Sequence, residues 1–320
     1  LPPLLTLSSH PHAFFSQIAQ IFEAWVSRRE SANTRRAYRS DIMAFVSFQG
    51  WSWPKDAPAL IQVSVLDVLA FRDFLLERNA APKTINRRIS SLSSFYKYLA
   101  AAAAELRLPI TVPNPAHAQF IARSSTDPIR ETSSLSAARA RLLLGLPTGE
   151  DLLSYRDRAI LKTFLYTGAR LGTICRLTVE DFQFNGEEYT LRLIEKGNKR
   201  RTIGVHFSAG QAIQEYLDKS GISAGPLFRA RCSAHSCDLS DRRIHETTLW
   251  RLVSAYLRQI PGSHYTPHSL RATTATLLLN SGEDIARVQH LLGHRSITTT
   301  QIYDKRRRST SDSASHHMPI

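Results

Sequence analysis

Apolar residues return every three or four positions from His12 to Leu108, the spacing of successive amphipathic helices that each bury one face. Phe14, Phe15, Ile18, Ile21, Phe22 and Trp25 form one stripe, and Tyr38, Ile42, Phe45 and Val46 a second. Val65, Val68, Leu69, Phe71, Leu75 and Leu76 form a third, and Ile85, Ile89, Leu92, Phe95, Tyr96 and Leu99 a fourth. Ser64 and Thr84 are the candidate caps of the last two, since a hydroxyl before a helix can accept a free backbone N–H. From Pro113 to Ser134 the periodicity gives way to Pro, Ser, Thr and small residues, the composition of a linker. Beyond Leu135 one helix is expected to end at Thr167–Gly168, where glycine suits a left-handed cap. Tyr189 to Ile194 alternates as a strand, with Thr202 to Val205 as its return across a turn at Lys196–Lys199. Thr266 and Pro267 open a further helix that Gly282 closes, and Ile285, Val288, Leu291 and Leu292 line the next, stopped by Gly293. The fold class expected is mainly α with a small β-hairpin or sheet. It divides into a tail (1–10), a helical bundle (11–112), a linker (113–134), a mixed, mainly helical α/β domain (135–308) and a polar tail (309–320).

A length of 320 residues agrees with two cores. Lysines and arginines number 41 against 27 acidic residues, a formal charge of +14, which points to a polyanionic partner, nucleic acid first. A membrane surface is disfavoured, because the cations are spread over many segments and the apolar start, Leu1 to Leu7, is too short to span and has no basic leader. Two predicted helices open with basic runs, Thr34-Arg35-Arg36 with Arg39, and Lys83-Thr84 with Arg87 and Arg88. Free amides and the helix dipole attract phosphate there, and arginine adds charge-assisted bonds; a solvated polar face is the bland alternative. The odd set Cys175, Cys232 and Cys237 argues for free thiols in a reducing compartment, hence cytoplasm or nucleoid. Cys232, His235, Cys237 and His245 match no zinc-knuckle spacing and are read as a polar loop, so no metal and no cofactor is expected.

The chemistry-bearing residues of the second half are Arg170, Lys196, His268, Arg271, His294 and Tyr303. They stand in Tyr-Thr-Gly-Ala-Arg (166–170), Glu-Lys-Gly-Asn-Lys (195–199), Thr-Pro-His-Ser-Leu-Arg (266–271) and Leu-Leu-Gly-His-Arg-Ser-Ile-Thr-Thr-Thr-Gln-Ile-Tyr (291–303). Each motif alone is common; the set in this order resembles the tyrosine site-specific recombinases, the phage-integrase family. One departure is visible: three residues after the first arginine the family generally carries an acidic residue that steadies the active-site cations, and here Thr173 stands there.

The resemblance implies a helical core-DNA-binding domain in front, a catalytic domain behind, and the two clamped around duplex DNA. Tyr303 would be the nucleophile, forming a 3′-phosphotyrosine and freeing a 5′ hydroxyl. A phenol ordinarily ionises near pH ~10, so it needs a proton acceptor, for which His268 is chosen. His268 and Arg271 lie three apart, on one helix face. Arg170 and Arg271 are assigned to the non-bridging oxygens, because a guanidinium keeps its proton and bonds two oxygens at once. Lys196 matches the family's general acid, with Lys199 as runner-up; His294 would hydrogen-bond a phosphoryl oxygen. The DNA-contacting set is Arg35, Arg36, Arg39, Lys83, Thr84, Arg87, Arg88, Lys199, Arg200 and Arg201. The linkage stores the bond energy, so rejoining needs neither ATP nor metal. Further expectations are a homo-tetramer on two recombination sites, a Holliday-junction intermediate, and accessory DNA-bending or partner recombinase proteins. The rivals are a phosphotyrosine-type topoisomerase and a non-catalytic DNA-binding regulator on the same fold.

Overall fold

Aromatic side chains at helical spacing need a shared interior, and in the computed structural model they find one in each of two units, Leu1–Pro128 and Ile129–Ile320. The structure describes residues 11–124, 132–195, 199–233, 235–262 and 264–304.

The first unit is built from α1 (Pro11–Ser16), α2 (Ile18–Ser27), α3 (Ala32–Phe48), α4 (Val65–Glu77) and α5 (Pro82–Glu105). Phe22, Trp25, Phe45, Phe71 and Phe95 fill its centre, with Phe22 edge-on to Phe95 at 5.7 Å and Phe45 edge-on to Phe71 at 5.2 Å. The first predicted stripe is split between two helices at Gln17, which leaves helical geometry. Ser64 caps α4 as expected, in a reciprocal capping box with Asp67. Thr84 does not cap α5. That helix starts earlier, at Pro82, whose fixed φ and missing N–H suit a first turn, so Thr84 sits inside it. Leu76, placed in the third stripe, is exposed. The stretch that opens at Pro113 packs on the first unit as far as Ser124: Ala116 and Ile121 are buried, and the Asn86 amide exchanges two 3.0 Å bonds with the Ser124 backbone. Asp127–Pro128 lies outside the described residues.

The second unit adds α6 (Ala137–Gly145), α7 (Leu152–Thr167), α8 (Leu171–Arg176), α9 (Phe207–Ser220), α10 (Glu246–Leu257), α11 (Pro267–Asn280), α12 (Ile285–Leu292) and α13 (Ile297–Gln301). A three-stranded antiparallel sheet lies between α8 and α9, in the order β1 (Phe182–Phe184), β2 (Tyr189–Ile194), β3 (Arg200–Val205). Tyr189, Leu191 and Leu193 of β2 point into the core, and Ile194 pairs with Arg200 across the turn. β1 was not foreseen, because three residues are too few to display alternation. A second hairpin, β4 (Arg229–Arg231) with β5 (Leu239–Arg243), lies within the expected polar loop; it is held by backbone pairing, with Leu239 packed on the core. His245 caps α10 through Nδ1, 3.2 Å from the Thr247 N–H.

α11 runs through the core with buried residues around most of its circumference, polar ones included. Thr273 and Thr274 satisfy their hydroxyls on backbone carbonyls at 2.8 Å, Ser269 O and Leu165 O respectively, which lets the helix lie close against α7. No helix among the described residues is long and apolar enough to cross a membrane.

Candidate active site

Two helix ends meet in the second unit, and both are closed by glycine. α7 stops at Gly168 (φ 59°) and α12 at Gly293 (φ 67°), each in the left-handed conformation that glycine adopts freely. A Cβ on Gly168 would stand 2.4 Å from Leu292 Cδ2, so the approach of the two ends also requires glycine. Helix ends leave carbonyls without intrahelical partners. Here Arg271, one turn into α11 and 3% exposed, takes one from each: Nη1 donates to Gly168 O at 2.6 Å and Nη2 to Leu292 O at 2.7 Å. Its guanidinium is thereby fixed in orientation by backbone alone.

Around it the other predicted groups gather. The Gly168 turn delivers Arg170 to the start of α8, where 44% of its side chain stays open to solvent. Thr266 and Pro267 begin α11 as the sequence indicates, which sets His268 one turn ahead of Arg271. His294 directly follows Gly293, and its Nδ1 lies 2.9 Å from Thr300 Oγ1. Tyr303 comes just after α13, buried against Ala272, Ala275, Val288 and Leu292, with its ring nearly parallel to that of His294 at 6.1 Å. Arg170, His268, Arg271, His294 and Tyr303 therefore converge, drawn from segments up to 133 residues apart. Lys196 lies outside the described residues.

Residues 135–309 match the phage integrase family, and residues 20–103 match the phage integrase N-terminal SAM-like domain. The chain belongs to the phage integrase family. Among its relatives, tyrosine recombinase XerC of Herpetosiphon aurantiacus is 33% identical, with 87% of this chain and 86% of that protein covered. XerC of Roseiflexus castenholzii is 34% identical, over 86% and 84% respectively. The fold is that of XerH bound to a palindromic difH substrate (TM-score 0.72, 16% identity, 94% of this chain and 96% of that chain covered). A lambda integrase dimer on a COC′ core site is similar too (TM-score 0.64, 20% identity, 94% and 79% covered).

In this tyrosine recombinase the site contains a residue to which the sequence reading gave no role. Glu195, at the end of β2 and 7% exposed, accepts from Arg170 Nη1 at 2.5 Å through Oε2 and from Arg201 Nη2 at 3.1 Å through Oε1. Arg201 also donates to His290 O at 3.1 Å, so its guanidinium ties β3 to the end of α12 and is turned away from solvent. Lys199 and Arg200 remain exposed on the same hairpin. The signal for Glu195 was present: a site that lacks an acid at Thr173 still needs an anion among its cations, and Glu195 opens the Glu-Lys-Gly-Asn-Lys motif.

In the first unit the two basic helix starts lie side by side, and Asn33, Arg36, Ser40 and Arg87 line one depression between α3 and α5. Arg36, Lys83 and Arg87 are exposed, whereas Thr84 and Arg88 are half-buried. Arg87 donates to the buried Asp41 at 2.6 Å, Arg39 to Glu23 at 2.6 Å, and Arg35 to Arg29 O at 2.9 Å. Ser31, not one of the cations, caps α3.

Burial, and then the crowd of positive charge, sets the protonation of the histidines. Burial first, then Arg271, Arg170 and His268, pull His294 down to about 4, with Glu195 opposing. His268 is lowered by desolvation, then by Arg271 and Arg170, so both imidazoles are neutral at pH ~7 and His268 is free to accept a proton. Burial, then Arg170, also lowers Arg271 to about 10, which still leaves it charged at neutral pH. For a histidine with a depressed folded value, the unfolded chain binds the extra proton, so stability falls as the solution is acidified through the ordinary value of 6.5 towards about 4. Thermal melts are expected to be flat above pH ~7 and to drop between pH ~6.5 and ~4. His294→Asn, which keeps a polar atom towards Thr300, should flatten that drop; an unchanged profile would remove His294 as its source.

Proposed function

We propose that this chain cuts and rejoins duplex DNA at specific sites through a 3′-phosphotyrosine intermediate. The observation that carries the reading is Arg271 held between two helix-end carbonyls, with Arg170, His268, His294 and Tyr303 gathered about it. Phosphodiesters resist attack because their oxygens repel nucleophiles, and two guanidiniums offset the charge that grows in the transition state. A preset Arg271 does so with little reorganisation, while the more open Arg170 takes the other side of the phosphate.

In the first step Tyr303 Oη forms a bond to phosphorus, its proton passes to His268, and the bond from phosphorus to the 5′ oxygen breaks. That oxygen receives a proton from Lys196, the role the family resemblance assigns. His294 bonds a phosphoryl oxygen. Rejoining is the reverse with a 5′ hydroxyl from another strand, so energy is neither added nor lost. Arg35, Arg36, Arg39, Lys83, Thr84, Arg87 and Arg88 in front, with Lys199, Arg200 and Arg201 behind, are the proposed DNA contacts. Arg36, Lys83, Lys199 and Arg200 are exposed, while Arg39, Arg87 and Arg201 would have to share existing carboxylate partners. The active species is a tetramer joining two sites through a Holliday junction, in the cytoplasm or at the nucleoid, with accessory DNA-bending or partner recombinase proteins. DNA complexes of XerH and of lambda integrase support the DNA partner.

A linear duplex carrying two copies of the cleavage site separates this reading from that of a topoisomerase. Recombinant-length products are expected in the absence of ATP and divalent metal. Relaxation of a supercoiled plasmid without any recombinant product would favour the topoisomerase.

A further inference from the structure

The acidic residue that the family resemblance leads one to expect three residues after Arg170 is absent from that place. Thr173, three residues after Arg170, is 1% exposed and has no charge, yet Arg170, Arg201, Arg271 and two imidazoles act on one another's charge in this site. The carboxylate that meets them comes from the other side, from β2. Glu195 Oε2 lies 2.5 Å from Arg170 Nη1 and 3.4 Å from Thr173 Oγ1, so it ends in the space that an acidic side chain at position 173 would occupy. Its second oxygen engages Arg201, which is itself anchored to the end of α12 through His290 O. One carboxylate thus links three segments that carry the site: the start of α8 with Arg170, the β2–β3 hairpin, and the α12 end from which His294 follows.

We propose that Glu195 is the positioning residue for Arg170, supplying from β2 the carboxylate that α8 lacks at Thr173. Thr173 is small because Glu195 fills that space. The inference rests on the proposed function, in which Arg170 grips the scissile phosphate. Burial works against ionisation of Glu195, but the bonds from Arg201 and Arg170 outweigh it and hold the carboxyl below its ordinary range. A fixed anion here has two consequences. It holds the half-exposed Arg170 in one orientation before DNA arrives, and it lowers the repulsion between Arg170 and Arg271 until a phosphate takes over that task. Loss of the charge should therefore slow the chemical step more than it weakens binding.

The test compares the wild type, Glu195→Gln, Glu195→Ala, Thr173→Glu and the double variant Glu195→Ala/Thr173→Glu, in which alanine leaves room for the longer side chain from α8. The probe is a nicked duplex that bears the site mapped by the wild-type adduct and traps that adduct. Glu195→Gln should cut covalent cleavage at saturating DNA by roughly 10- to 100-fold, with the dissociation constant for duplex changed by no more than about threefold. The double variant returns a carboxylate from α8 into the space that alanine vacates and should recover most of the rate lost in Glu195→Ala, whereas Thr173→Glu alone sets two carboxylates together and should be slower than wild type. A rate for Glu195→Gln within about twofold of wild type would overturn the proposal. So would a folded double variant no faster than Glu195→Ala, or the failure of every Glu195 variant to fold, since Glu195 would then serve only the fold. If wild type itself gives no adduct that depends on Tyr303, it is the proposed function that fails, and the comparison of variants is not reached.

Discussion

Tyr303→Phe is expected to reduce the covalent protein–DNA adduct by more than about 1,000-fold while leaving DNA binding within about twofold of wild type. The substitution removes one oxygen and retains the ring, which is what packs against Ala272, Ala275, Val288 and Leu292 and faces His294. The fold should therefore hold, with a stability change under about 1 kcal/mol. The site need not be known in advance. Sheared genomic DNA of the organism that carries the gene can be incubated with the protein, stripped with detergent, and the retained fragments sequenced. Wild type should retain a small set of sequences, Tyr303→Phe none. Equal retention by both would mean that another side chain carries the DNA, and the catalytic reading would fall with it.

Arg271→Ala should combine a catalytic loss with a structural one. Cleavage should fall on the order of 100- to 1,000-fold, as when a single preset donor is removed from a developing anion. In addition, Gly168 O and Leu292 O lose their partner inside the protein, at about 1–3 kcal/mol for each unsatisfied group. The melting temperature should drop by roughly 5 to 15 °C. Arg271→Lys keeps the charge but not the fork, and so should restore part of the stability and little of the cleavage. An Arg271→Ala protein that melts and cleaves as wild type does would show that the two carbonyls neither need this guanidinium nor present it to a phosphate. Arg170 differs, because its anchor is a side chain and it is open to solvent, so its contribution is weighted towards chemistry.

Helix caps and turns were legible because they are local. Gly168, Gly293, Thr266, Pro267 and Ser64 each act within a few residues of their place in the chain, and the structure sets them where the pattern indicates. Thr84 misled for a related reason: two helix-start signals, Thr84 and Pro82, compete within one turn, and the proline, which fits the first turn without losing a bond, won. The strands that escaped notice, β1 and the β4–β5 hairpin, are short and are held by pairing with a distant segment, which no local periodicity records.

The same division runs through the site. By itself the sequence determined the two mainly helical units, the basic character and, through the order of its motifs, five of the residues that converge, Arg170, His268, Arg271, His294 and Tyr303, since charge, periodicity and motif order are properties of the chain. Only the folded structure decided what those residues hold: that Arg271 is oriented by two helix-end carbonyls, that Arg201 ties β3 to the end of α12, and that the anion absent at Thr173 arrives through Glu195. Each of these is a contact between segments remote in sequence. Such contacts arise when burial strips water from polar groups and forces them to find one another, and that pairing depends on three-dimensional proximity alone.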